Sequence, residues 1–331
     1  MTKTNILYVP ILKTKAGDRW ALSHLKSATK TRVRPLLELH PHKSKADDEH
    51  IPSVCEDLQS DWGTDRRFYL DGVWLHGESG DAGILTSMFE STEAFGLRAI
   101  PVVRPTFIAN ALSRAAAIVE DLGRGYLLRM APGTQQARID AVVAAVGVAR
   151  DKVDLMIDYG PRGMSLASDI PHVTHLDEWK KVIAASGTFP RSLQPYGLHN
   201  WTLIPRNCWR TYSSGIAGEL PRKPVFSDYT MRDPGPPPDF GAPSVNLRYT
   251  VDGDWLAQLG GKVNEGASDE MHDFCAELIA RSEYCGAGFS DGDAEIERVS
   301  DKEQGPGNAT QWIQWCANHH IEMVISQIVA S

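Results

Sequence analysis

The chain has 331 residues, of which 42% are hydrophobic and 23% charged, and its formal net charge is −8 at pH 7. This composition is typical of a soluble globular protein. The negative charge excludes a surface that binds nucleic acid over its whole area, although a local basic groove is compatible with it. The five cysteines are scattered without zinc-ligand spacing, and their odd number argues against a disulfide framework, so we expect a cytoplasmic protein. No apolar stretch approaches the length of a membrane span, so we expect no membrane contact.

The first 230 residues alternate between short apolar runs and helical patterns. Apolar residues at helical spacing, as in Ile108–Leu122, follow most of the runs. This alternation predicts a parallel sheet with right-handed crossovers. The eight predicted strands are Ile6–Leu12, Pro35–Leu39, Phe68–Leu70, Ala99–Val103, Tyr126–Leu128, Val153–Ile157, Val182–Ala185 and Val225–Phe226.

Eight strand–helix units of this size predict an α/β fold, a (β/α)8 TIM-barrel-like domain. An open, doubly wound sheet is the alternative. It is disfavoured because the Gly-x-Gly-x-x-Gly motif that binds a dinucleotide after the first strand is absent, and Gly17 is the only glycine there.

The composition changes after the eighth strand. A proline-rich connector, Pro234–Pro243, precedes a predicted hairpin with Asp252–Gly253 at its turn, and Met271–Ser282 follows as a predicted helix. The last helix is expected to begin near Asn318. We therefore predict a barrel formed by residues 1–230 and 307–331, and an insertion between strand 8 and helix 8, residues 231–306, that covers the barrel mouth.

Polar residues follow every predicted strand, and in a barrel they would share the C-terminal mouth. Buried charges are unfavourable unless they are paired or functional. An Asp at a strand end is also a common turn residue, and a ring of salt bridges that closes the barrel is the alternative explanation for the whole set. The strand-end residues are Lys13, Glu38, Asp71, Arg104, Arg129, Asp158, Ser186–Thr188 and Asp228.

These residue types suit a site for an anionic substrate. Cations would bind a phosphate or carboxylate; they are Lys13, Arg104 and Arg129, with Arg248 added by the insertion. Carboxylates would hold Mg²⁺ or Mn²⁺, or act as an acid–base pair; they are Glu38, Asp71, Asp158 and Asp228.

Three further residues are candidates for the same site. Tyr249 of the hairpin is a candidate substrate ligand, although such a tyrosine is more often a packing residue. His319 and His320 are expected to start the last helix, where only one of two adjacent side chains can face the cavity, and we favour His319. Packing of the histidines beside Trp312 and Trp315 is the alternative.

Six short motifs carry a family resemblance: YVPILK, RPLLEL, SGTFP, SDYT, NLRYT and NHHIEMV occur in this order. They resemble the beta family protein group, named after a beta protein of phage T4, over nearly the whole chain. The resemblance implies a TIM-barrel-like fold and an origin in phage, prophage or phage-defence neighbourhoods, but it implies no reaction. Ser227, where glycine is usual, and Ile204–Trp209, which lacks an acidic Arg-x-Glu-Trp pattern, depart from the family. The residues that match the motifs are Glu38, Asp228, Arg248, Tyr249, His319 and His320.

Two functions remain open. The first is an enzyme that acts on a phosphorylated substrate, a nucleotide or a nucleic-acid end, by hydrolysis or phosphodiester cleavage. It predicts that Asp228→Asn abolishes activity and leaves the thermal midpoint unchanged or raised. The second is a non-catalytic sensor or interaction module whose mouth binds a ligand, or a phage or defence-system protein. Substrate, metal and oligomeric state are not determined by the sequence.

Overall fold

A computed structural model describes residues 5–173, 175–214, 220–235 and 243–331. Eight parallel strands form a closed barrel, because β9 pairs with both β1 and β7. This confirms the predicted (β/α)8 TIM-barrel-like fold, and each predicted strand overlaps one barrel strand. The strands are β1 Tyr8–Lys13, β2 Leu36–Glu38, β3 Arg67–Asp71, β4 Arg98–Val103, β5 Leu127–Met130, β6 Asp154–Asp158, β7 Lys181–Ala185, β8 Thr202–Pro205, β9 Val225–Asp228, β10 Ser244–Thr250 and β11 Asp254–Lys262.

The helices surround the barrel and bury one apolar face each. In α6, for example, Ala111, Ala115 and Ile118 are buried at helical spacing, and Gly123 ends the helix in the left-handed conformation with φ 58°. Within the described residues, none of the helices combines the length and apolar character that a membrane crossing requires. They are α1 Ala16–Ser23, α2 Ser27–Lys30, α3 Asp47–Asp61, α4 Val73–His76, α5 Ala82–Ala94, α6 Ala109–Leu122, α7 Gln136–Val146, α8 Leu166–Asp169, α9 Asn207–Ser213, α10 Glu270–Ile279, α11 Asp291–Ser300 and α12 Ala309–Ala330.

Side-chain alternation along the strands determines which polar ends reach the mouth. Apolar side chains such as Leu36, Tyr69, Leu127 and Met156 pack inside the barrel. The side chain two residues further along a strand points to the same face, and it therefore lies above this apolar layer, at the mouth. Residues one position before or after an inward-facing residue point outward, toward the helices.

A second, three-stranded sheet lies outside the barrel. The predicted hairpin is confirmed: β10 and β11 are antiparallel, with Thr250 opposite Trp255. The third strand, β8, pairs with β11 and comes from the chain between β7 and β9, where we predicted no strand. This sheet therefore combines residues from both sides of the predicted boundary at residue 230, and the division into a barrel and an insertion stays a prediction.

The last helix begins nine residues earlier than we predicted. The Asn308 side chain accepts hydrogen bonds from the Thr310 and Gln311 amides and caps α12. The prediction that His319 and His320 start this helix is therefore wrong, and both side chains are fully buried in its third turn. In this position α12 packs against α1, α11 and β10.

Candidate functional site

The Arg129 side chain is the centre of the mouth. Its Nη1 donates to Glu38 Oε1 at 2.9 Å and to Asp71 Oδ2 at 2.7 Å, and its Nε donates to Asp158 Oδ2 at 2.9 Å. Its Nη2 donates to Asp158 Oδ2 and to the Tyr229 hydroxyl, both at 2.6 Å. Four strands and the residue after β9 therefore bring their side chains together, as the alternation of the strands requires.

Arg104 extends this arrangement at the end of β4. Its Nη2 donates to Asp71 Oδ2 at 2.7 Å, and its Nη1 donates to both carboxylate oxygens of Glu78. Burial alone would raise the pKa of Asp71, but Arg104 and Arg129 lower it to about 2. We call Glu38, Asp71, Arg104, Arg129, Asp158 and Tyr229 the mouth network.

Tyr229 is a member of the network that we did not predict. Its hydroxyl donates to Asp158 Oδ2 at 2.6 Å. Burial raises the pKa of Tyr229 well above its ordinary value, although Arg129 opposes the shift, so the phenol stays protonated. The spacing of the sequence could have identified it. Tyr229 follows the inward-facing Ser227 by two positions and therefore also faces inward, whereas Asp228, one position away, faces outward.

Lys13 lies beside the network at the end of β1. Its Nζ is 5.9 Å from the centre of the Trp74 ring, and the Trp74 indole donates to Glu38 Oε2 at 2.8 Å. The ammonium makes no hydrogen bond or ion pair with a described residue. Burial, followed by repulsion from Arg232 and Lys15, lowers the pKa of Lys13 to about 8. Lys13 is therefore a half-buried amine that can gain or lose a proton near neutral pH.

The network faces a cavity of about 1030 Å³. Glu38, Arg129, Asp158 and Tyr229 line its floor, and arginines line its rim. The rim residues Arg138 and Arg162 are exposed, and their guanidinium groups make no ion pair within the described chain. A cavity of this size with convergent polar groups is typical of a small-molecule site.

Asp228 lies outside this cavity. It points outward from β9, where Tyr8 donates to Oδ1 at 2.5 Å, the Thr230 amide donates to Oδ1 at 2.9 Å, and His320 Nε2 is 3.0 Å from Oδ2. Asp228 and His320 are fully buried. The expectation that all strand ends meet at the mouth is therefore wrong for Asp228, because its position in β9 places it on the helix-facing side.

The Asp228–His320 pair continues into a second buried cluster. His320 Nδ1 is 2.7 Å from Thr250 Oγ1, and His319 Nε2 is 2.8 Å from the Thr250 carbonyl. His319 Nδ1 is 2.9 Å from Asp293 Oδ2, and Tyr249 donates to Asp293 Oδ1 at 2.7 Å. We call these residues the histidine cluster.

The histidine cluster does not join the mouth network. Tyr249 stacks on His319 at a ring distance of 3.8 Å, and both are fully buried. Burial lowers the pKa of His320, although Asp228 opposes this. The structure thus places His319, His320 and Tyr249 between the barrel, the second sheet and α12, away from the cavity.

Arg248, the remaining predicted ligand, lies near Lys13 and outside the mouth network. Its Nη1 donates to the Met231 carbonyl at 2.6 Å and its Nε to Asn246 Oδ1 at 2.9 Å. Both Lys13 and Arg248 line a smaller cavity that adjoins the mouth.

The carboxylates of the mouth do not form a metal site in this arrangement. Glu38, Asp71 and Asp158 each direct an oxygen at Arg129, which competes for the same lone pairs. In the ranges that the structure describes, no group of three or more His, Cys, Asp or Glu side chains could hold one metal ion. The donor set therefore does not fit the predicted Mg²⁺ or Mn²⁺ without movement of Arg129.

Comparison with known proteins gives a family and several structural matches. The family model described as Beta protein matches residues 8–326. A mandelate racemase/muconate lactonizing protein from Paracoccus denitrificans PD1222, crystallised in complex with magnesium, aligns with a TM-score of 0.39 and 10% identity. The alignment covers 80% of this chain and 66% of that chain, slightly less than two thirds of its length. No curated protein matches the sequence.

Proposed function

The chain belongs to the Beta protein family, as its motifs indicated, and from the chemistry of its barrel mouth we propose that it is an enzyme acting on a phosphorylated substrate. The substrate would be a nucleotide or a nucleic-acid end, and the reaction hydrolysis or phosphodiester cleavage. The observation that carries the proposal is Lys13, an amine without an ion-pair partner in the described chain. Its pKa is about 8, and it lines the smaller cavity that adjoins the mouth, next to Trp74, which donates to Glu38.

The proposed step uses two protein groups and balances without another reactant. Water attacks phosphorus, and Asp158, a half-buried carboxylate that lines the cavity, accepts its proton. The bond from phosphorus to the leaving oxygen breaks, and protonated Lys13 donates a proton to that oxygen. Arg138 and Arg162 at the rim would attract the negative substrate.

The test is the rate of phosphate-ester hydrolysis by the full chain and its Lys13→Met variant. We expect a loss of about 10²- to 10⁴-fold, which is typical of removing a general acid. In the wild type, kcat should fall as the pH rises through about 8, because Lys13 loses its proton there. Lys152→Met, at an exposed lysine far from the mouth, is the matched control and should keep full activity.

The same variant has a stability readout with a defined sign. The folded pKa of Lys13 lies below its ordinary value of 10.5, so the unfolded chain binds more protons between pH 8 and 10.5. Lys13 therefore opposes folding most strongly below pH 8, and Lys13→Met should raise the thermal midpoint at pH 7. Full activity of the variant, or no turnover of mono- or diesters by the wild type, would contradict the proposal.

A requirement for Mg²⁺ or Mn²⁺ stays a prediction. Measuring the rate after chelation and after addition of each ion tests it, with Ca²⁺ as the control for simple charge screening.

The saturated bonding of Arg129 favours a second candidate function. A guanidinium neutralised by three carboxylates can act as a rigid structural element. The mouth would then bind a phosphate-containing ligand, or a phage or defence-system protein, without turning anything over. A ligand that raises the thermal midpoint and is recovered unchanged after long incubation would support this candidate over the enzyme.

A further inference from the structure

A basic recess of about 300 Å³ adjoins the mouth cavity. Five cationic side chains line it: Lys13, Lys15, Arg191, Arg232 and Arg248. The recess shares Arg191, Asp233 and Gly235 with the larger cavity, so the two spaces lie side by side. Cations from β1, from the loop after β9 and from β10 therefore surround one small volume.

The acidic side chains near the recess do not neutralise it. Asp18 is fully buried and accepts from Arg232 Nη1 at 2.8 Å. Asp233 also lines the recess, whereas Lys15, like Lys13, makes no ion pair with a residue of the described chain. Burial, followed by Arg232, lowers the pKa of Lys15 as well. Positive charges that repel each other at close range create a site that favours an anion.

Two helix ends add to this positive potential. The first turn of α1 contributes Gly17 to the recess, and the first turns of α12 contribute Thr310 and Ile313. A Cβ at Gly17 would lie 3.1 Å from the Thr310 carbonyl oxygen, so glycine permits the close approach of the two helices. The dipole of a helix N-terminus favours a bound anion, although in α12 the Asn308 side chain already caps the Thr310 and Gln311 amides.

An apolar pocket of about 190 Å³ also adjoins the recess. The two spaces share Arg232, Arg248 and Ile313, and the pocket is otherwise lined mainly by Met231, Pro243, Trp312 and Cys316. Its volume is comparable to that of a protein cavity that accepts a benzene ring, about 150 Å³. It is larger than that cavity and therefore has room for a planar aromatic group.

Arg248 lies at the junction of the recess and the pocket. Its guanidinium is 4.7 Å from the centre of the Phe189 ring, and its Nη1 and Nε are held by Met231 and Asn246. These contacts fix the plane of the guanidinium while Nη2 makes no hydrogen bond to a residue that the structure describes. A fixed arginine with a free donor is suited to orient a phosphate.

We propose that the recess and the apolar pocket form one binding site for a nucleoside di- or triphosphate. The base occupies the pocket, the first phosphate occupies the recess among its cations, Lys13 included, and the following phosphate extends toward the mouth cavity. This inference rests on the proposed function, which it deepens by naming the substrate class. A free phosphate would fill only the recess, and a nucleoside only the pocket.

The test is calorimetric binding of ADP, adenosine and inorganic phosphate to the full chain. We expect ADP to bind about tenfold or more tightly than either fragment, since it fills both spaces. Lys15→Met, at an exposed position, should lower the affinity for ADP and for phosphate by about tenfold each. A loss of this size is typical of removing a charged contact. Lys152→Met is the control for charge.

Ala309→Phe tests the pocket separately. Ala309 lies at the rim of the pocket on α12. Because the larger phenylalanine side chain would fill the pocket, the affinity for ADP should fall by about tenfold or more, while the affinity for phosphate stays unchanged. Ala94→Phe, at an exposed position at the end of α5, is the matched control. Circular dichroism confirms that each variant is folded, and Lys15→Glu provides a second variant of the recess.

The outcomes separate this inference from the proposed function. ADP binding that responds to both substitutions supports the site, even if no product forms and the enzyme proposal fails. Phosphate-ester turnover that neither substitution changes, or ADP binding no tighter than phosphate, overturns the site and leaves the enzyme proposal standing.

Discussion

At the scale of single residues, Arg129 shows how a charge is kept inside a barrel. It is 3% exposed, and all of its hydrogen-bonding nitrogens donate to the side chains of the mouth network. Burial alone would lower the pKa of Arg129, but Tyr229 and three carboxylates raise it. The arginine and the acids are therefore mutually dependent, since each compensates for the desolvation of the other.

Replacing Arg129 should destabilise the folded protein and not only weaken the binding of a ligand at the mouth. Arg129→Met leaves Glu38, Asp71 and Asp158 without their shared cation, and we expect a loss of about 3–5 kcal/mol in the free energy of unfolding. Urea denaturation measures it. Arg138→Met, at the exposed rim, should change stability by less than about 0.5 kcal/mol. Equal stabilities of the two variants would show that the network carries little of the fold's stability.

At the scale of elements, α12 joins the barrel to the second sheet. On one side His320 contacts Asp228 of β9, and on the other His319 contacts the Thr250 carbonyl of β10. Asn318 of the same turn donates to the Ala21 carbonyl of α1 at 3.0 Å. The NHHIEMV motif thus contributes to docking of one helix.

This position reverses our expectation for Asp228→Asn. The asparagine would lose a charged contact with His320 and a strong acceptor for Tyr8 in a fully buried environment. We expect a loss of about 2–4 kcal/mol in stability, with residual activity proportional to the folded fraction. Asp151→Asn, at an exposed position, is the control. An inactive variant with an unchanged thermal midpoint would instead support the catalytic role expected from the sequence.

At the scale of the whole molecule, the barrel and the second sheet are interlocked. The sheet takes β8 from the chain between two barrel strands, and its other strands lie between β9 and α12. Arg206, which follows β8, donates to the Val251 and Asp252 carbonyls and to Gln327 of α12. Neither part keeps its contacts when the other unfolds.

We therefore expect one cooperative unfolding transition. Calorimetry should give a van't Hoff enthalpy equal to the calorimetric enthalpy, and far-UV and near-UV circular dichroism should show the same midpoint. Two separated transitions would show that the insertion folds independently, and a stable fragment that lacks residues 231–306 would show that the barrel folds without it.

The strand pattern and the polar strand ends could be predicted from the sequence. Apolar runs of strand length that alternate with amphipathic helices are local features, and a parallel barrel follows from their number and order. The same pattern identifies five strand-end residues of the mouth network: Glu38, Asp71, Arg104, Arg129 and Asp158. The Asp252–Gly253 turn is equally local.

Only the tertiary structure decided which of these ends share a cavity. Barrel strands are buried on both faces, so a run such as Val225–Asp228 carries no apolar–polar alternation that would reveal which face is inward. Strand pairing resolves this, placing Tyr229 in the mouth and Asp228 against α12. The basic recess likewise could not be predicted from the sequence, because its cations come from distant segments that only the closed barrel brings together.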